Sequence, residues 1–84
     1  MQEFDKREIF WHSRRGMLEL DLLLVPFARD VFDSLSRQEQ VLYNELLAEE
    51  DQDLFSWLMG REEPSRAEFK SIIALILAHN KQTD

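Results

Sequence analysis

Arg14, Arg15, Gly16 and Glu19, inside the stretch HSRRGMLELD, bring two guanidinium groups and a carboxylate to one point of the chain. Guanidinium groups recognise carboxylates or phosphates through paired hydrogen bonds. Successive helical residues project about 100° apart, so one of two adjacent arginines cannot easily hide behind the other. A sharp helix–helix corner at Gly16 would display both arginines and Glu19 as a compact recognition surface.

The same residues also fit a purely structural account. Gly16 closes a first helix as its C-terminal cap, and Arg14 and Arg15 in the last turn offset the partial negative charge of the carbonyl end. Glu19 then bonds free backbone N–H groups in the first turn of a second helix. The two accounts diverge on substitution. A cap predicts that Glu19→Ala lowers stability by up to about 1 kcal/mol and leaves partner-directed activity intact. A recognition surface predicts that Arg15→Ala or Glu19→Ala leaves melting nearly unchanged and strongly reduces that activity.

Little else in the sequence can do chemistry. His12 and His79 have no partner at metal-ligand spacing, and there is no cysteine. No Ser/His/Asp arrangement, glycine-rich phosphate loop or dinucleotide fingerprint is present. We therefore expect no catalytic residue, no metal site and no stably bound cofactor, and read both histidines as solvated or helix-end residues. His12 lies one helical turn before Arg15 and Gly16, within reach of the same surface. The acidic run Glu49, Glu50, Asp51 and Asp53 reads as a solvated loop containing a helix cap.

The elements that must position the corner are helical. Apolar residues fall at helical spacing nearly throughout, and period-2 alternation is absent. With 84 residues, 44% of them hydrophobic, and only two glycines and two prolines, the chain makes one folded domain over 1–84. A first helix is predicted over about 3–14. The stretch Leu18 to Phe32 is apolar on most sides, as a central helix would be, with a kink or break near 22–25 imposed by Pro26. Ser36 and Glu39 form a capping box for a helix over about 37–48. Asp51 or Asp53 caps a short helix that ends at Gly60. A second box, Ser65 with Glu68, opens a helix over about 65–80 whose buried face is Phe69, Ile72, Ile73, Ile76 and Leu77. Trp11, Phe55 and Trp57 are read as mostly core. The fold class is all-α, a small bundle of four to five short helices.

Seventeen acidic against ten basic residues give a net charge of −7, which disfavours nucleic acid and anionic membrane surfaces as partners. The start, MQEFDKRE, lacks the apolar core of a secretory signal, and the apolar run LLLVPFA is too short to span a bilayer. A cytoplasmic location is expected.

RRGMLELD, followed by PF, DSLS and DLFSWLM, resembles the small succinate dehydrogenase assembly factors, also called flavinylation factors. Their Arg-Gly-x-x-Glu motif is met by Arg15, Gly16, Met17, Leu18 and Glu19, and the resemblance covers about residues 10–59. It implies a five-helix fold and a non-catalytic protein that binds the flavoprotein subunit of succinate dehydrogenase, and in bacteria that of fumarate reductase. Such factors promote covalent attachment of FAD to a histidine of that subunit, so FAD is the client's cofactor. The resemblance puts Arg15, Gly16 and Glu19 on the client-binding face, and we extend that assignment to His12, Arg14, Met17 and Asp21. It also carries an alternative, a regulatory protein acting as antitoxin to a small inner-membrane protein.

Overall fold

The computed structural model describes residues 4–82, with side chains through residue 80. Among them the order is α1 (Lys6–Ser13), α2 (Leu18–Asp30), a 3-10 turn (Phe32–Ser34), α3 (Arg37–Leu46), α4 (Asp51–Leu58) and α5 (Phe69–Gln82), with no strand. The all-α expectation holds. Residue 3, where the first helix was expected to begin, lies outside the described residues.

Helix α2 is the hub, packing on α1, α4 and α5, while α5 also covers α3. Leu20, Leu24, Phe27, Tyr43, Leu46, Leu54, Phe69, Ile72 and Ile76 are fully enclosed between them. Pro26 does not break α2, which runs uninterrupted past it. Proline frees the carbonyl four residues earlier, that of Leu22. Leu22 is 60% exposed, so the helix turns that face to water, which can bond the freed carbonyl.

Helix ends follow the sequence in places and depart from it in others. Asp5 caps α1 by accepting from the Arg7 N–H at 2.9 Å. The Ser36–Glu39 box forms in both directions, at 3.1 and 2.9 Å. Gly60, at φ +73°, closes α4 with paired bonds from the Gly60 N–H to the Trp57 carbonyl and from the Arg61 N–H to the Ser56 carbonyl.

Neither aspartate caps α4: Glu50 holds the cap position without a side-chain bond, and the Asp51 carboxylate bonds Arg15 instead. The Ser65–Glu68 box is also absent, and α5 begins only at Phe69. Arg66 donates to Glu68 at 3.0 Å and to Glu45 of α3 at 2.8 Å, and lies over the Phe69 ring. That bridge draws the Glu68 carboxylate away from Ser65. The apolar face of α5 is as expected, with Phe69, Ile72, Ile73 and Ile76 buried and Leu77 half-buried.

Trp57 is core, Phe55 is half-buried, and Trp11 is 69% exposed, contrary to expectation. Helix α1 buries one stripe, Ile9 and Ser13, four residues apart. Trp11 lies about 200° around the helix from Ile9 and therefore faces outward. His79 is a helix-end residue, in the last turn of α5, rather than a solvated one. It packs edge-on against Phe27 and keeps Nε2 3.7 Å from Asp30, too far for a hydrogen bond.

Candidate functional site

The corner between α1 and α2 differs in detail from a simple glycine cap. Helix α1 ends at Ser13, and Arg14 is already extended (φ −85°, ψ 109°), so neither arginine lies in the last helical turn. Gly16 comes two residues further on, at φ +83°, where it turns the chain toward α2. A methyl group at Gly16 would meet nothing within 4 Å. Its backbone conformation, not crowding inside the molecule, therefore accounts for glycine here.

The adjacent arginines have opposite roles. Arg15 folds inward, with only 17% of its side chain exposed. Its Nε donates to the Asp51 carboxylate at 2.7 Å, and Nη1 to the carbonyls of Leu47 at 2.7 Å and His12 at 3.1 Å. Nη2 donates to the Glu49 carbonyl at 2.9 Å. The Leu47 and Glu49 carbonyls follow the end of α3, where backbone acceptors lack helical donors and carry partial negative charge. Arg15 thus ties the corner to the α3–α4 turn and satisfies both. Arg14 is exposed, and among the described residues its guanidinium has no hydrogen-bond or ion-pair partner.

The acids divide in the same way. Asp21, not Glu19, holds the loop: its carboxylate accepts from the Arg15 backbone N–H at 2.6 Å. Glu19 is exposed in the first turn of α2 and bonds no described residue. Leu22, one turn on, shares its helical face and Leu18 precedes it; they are 60% and 68% exposed. An exposed carboxylate beside two exposed leucines makes no internal contact that the fold uses.

Of the remaining expected residues, Met17 is half-buried against the core at the start of α2. His12 is exposed, and its side chain has no partner among the described residues. His12, Arg14, Gly16 and Glu19 are thus available to a partner, while Arg15, Met17 and Asp21 hold the corner together.

The sequence did not reveal a cleft of about 540 Å³ beside the corner, walled by Trp11, His12, Arg14, Asn44, Ala48 and Asp51. Gly16 borders a smaller adjoining hollow with Trp11 and Arg14. The missed exposure of Leu18 and Leu22 had a signal: α2 is apolar on more faces than so small a bundle can cover.

Behind the corner, Ser13 is fully buried and donates to the Ile9 carbonyl at 2.8 Å. Its proton being used there, Ser13 Oγ accepts from the Tyr43 hydroxyl at 2.6 Å, which joins α1 to α3. The Tyr43 oxygen also lies 3.3 Å from the Leu24 carbonyl of α2. Burial pushes the Tyr43 phenol well above the ordinary range.

No cluster of His, Cys, Asp or Glu capable of holding a metal occurs among the described residues, and no helix there is long and apolar enough to cross a membrane.

Residues 7–80 match the family model described as flavinator of succinate dehydrogenase. The chain is 47% identical over 75 residues to the FAD assembly factor SdhE of Pseudomonas aeruginosa, covering 89% of each chain. It is 45% identical to the SdhE of Vibrio vulnificus, covering 90% of this chain and 88% of that one. With the SdhE of Colwellia psychrerythraea the identity is 40%, over 92% and 85%. A helical bundle that matches this family over nearly all its length, with Arg15, Gly16 and Glu19 set at one corner, belongs to the flavinator of succinate dehydrogenase family.

Proposed function

We propose that this chain is an assembly factor that binds the flavoprotein subunit of succinate dehydrogenase, and of fumarate reductase where present, and promotes covalent attachment of FAD. It acts in the cytoplasm, holds no cofactor of its own, and leaves the bond-forming chemistry to flavin and client. Its contribution is orientation: a bound surface can hold a client in the arrangement from which flavin attachment proceeds.

The observation that carries this reading is the isolation of Glu19. Asp21 holds the loop, so Glu19 stands exposed beside Leu18 and Leu22 with no described partner. Family membership supplies the client class. Arg15 enters this reading as the residue that fixes the corner, and Arg14, Gly16 and Glu19 as the residues that face the client.

The test is to produce the flavoprotein subunit with and without the factor and read covalent flavin by fluorescence of the denatured subunit in a gel. A strong rise with the wild-type factor and little with Glu19→Ala is expected. Equal covalent flavin with and without the factor would overturn the reading.

A further inference from the structure

The cleft between α1 and α3 lies next to the corner and shares only Arg15 with the Arg-Gly-x-x-Glu motif, and its charge is unusual for this chain. In a protein of net charge −7, its rim carries two guanidinium groups and one carboxylate. Arg15 and Asp51 neutralise each other at 2.7 Å. What remains is Arg14, whose guanidinium has no described partner, anchored by the bond from its own N–H to the Trp11 carbonyl at 3.1 Å. Every other arginine side chain in the described bundle has an acid or an aromatic ring beside it: besides Arg15 with Asp51, these are Arg7 with Asp5, Arg29 with Asp30, Arg37 over Phe4, Arg61 over Phe55 and Arg66 with Glu45. Arg14 is the exception.

Beside it stands the Trp11 indole, 69% exposed on the same wall. Tryptophan and arginine are the residue types that most often carry binding energy when a partner covers them. An indole desolvates at a gain, and a guanidinium next to it gains from a carboxylate presented in the same low-dielectric setting. Asn44 on the opposite wall adds an amide able to donate to the same anion.

We propose that this cleft receives a carboxylate side chain of the client flavoprotein, paired with Arg14, while Trp11 covers the apolar group next to it. This rests on the function proposed above and deepens it. The client contacts the factor at two places of opposite charge. One is a donor-bearing patch for Glu19, Leu18 and Leu22, and the other an acidic, apolar segment for Arg14 and Trp11. Gly16 borders the hollow that joins the cleft to the corner, which makes the two contacts one continuous surface.

The probe is the purified flavoprotein subunit of succinate dehydrogenase before flavin attachment, titrated with factor variants, with melting followed in parallel. Arg14→Ala is expected to weaken binding at least about tenfold, with Arg14→Glu weaker still and Arg14→Lys intermediate. Rising salt should weaken wild-type binding more steeply than binding of Arg14→Ala. Trp11→Ala should weaken binding without changing the salt slope. Melting should stay near wild type, both side chains being exposed. Should Arg14→Ala fail to fold, Arg14→Lys carries the same comparison.

If wild type and all Arg14 variants bind equally while Glu19→Ala is impaired, this inference is overturned and the proposed function stands. If the wild-type factor does not bind the subunit at all, both fall. If Arg14→Glu instead alters sedimentation of the factor alone and leaves client binding intact, the cleft is a contact between copies of this chain and the inference is again overturned.

Discussion

Arg14 and Arg15 show how far two identical neighbours can diverge. Arg15 satisfies the carbonyls of Leu47, Glu49 and His12 and the carboxylate of Asp51 from a mostly covered position. Replacing it leaves several partly buried acceptors without a donor. We expect Arg15→Ala to cost about 2–4 kcal/mol, read as a drop in the denaturation midpoint. Arg15→Lys should recover little, since an ammonium cannot span acceptors arranged around a planar fork. The expectation that Arg15→Ala would leave melting unchanged is thereby replaced, and loss of client activity in that variant would report a disordered corner as much as a lost contact. Gly16→Ala should cost about 1–2 kcal/mol from backbone strain alone, because the added methyl meets no atom. The sequence made the importance of this corner legible through residue type and spacing. Which arginine turns inward was not legible, because that depends on Leu47, Glu49 and Asp51, more than thirty residues away.

At the scale of elements, what could be read was whatever depends on neighbours along the chain. The Ser36–Glu39 box, the Gly60 cap and the buried face of α5 are local patterns, and all are present. The Ser65–Glu68 box was equally visible as a pattern and is absent, because Arg66 bridges Glu68 to Glu45 on another helix. Pro26 failed as a helix breaker because the face it shares with Leu22 is open to water. For α5 we expect Ile76→Ala to cost about 2–5 kcal/mol, with Ile73→Ala, at 8% exposure, toward the lower end. The buried Ser13–Tyr43 pair links α1 and α3 and titrates. The folded state raises the Tyr43 pKa, so the stability tied to its neutral form is complete below about pH 10, where an unfolded tyrosine ionises, and is lost as pH rises above that. A pH series of urea midpoints should show this alkaline decline in wild type and a flatter one in Tyr43→Phe.

The molecule as a whole is a core that nearly every element helps to close, and its most exposed large apolar side chains gather near one corner. Leu18, Leu22 and Trp11 stay exposed while Ile9, Leu20 and Leu24, close by in sequence on the same two helices, are buried. Such a surface is stable in the monomer and gains from being covered. Family membership and this corner support the proposed role, an assembly factor that works by binding a flavoprotein client. The measurement that tests this most directly pairs the melting temperature of Glu19→Ala with covalent flavin on the succinate dehydrogenase flavoprotein made alongside it. The account predicts melting within about 0.5 kcal/mol of wild type, as for a surface position without partners, and covalent flavin reduced to near the level seen without the factor. A stable Glu19→Ala that supports full flavin attachment would contradict it.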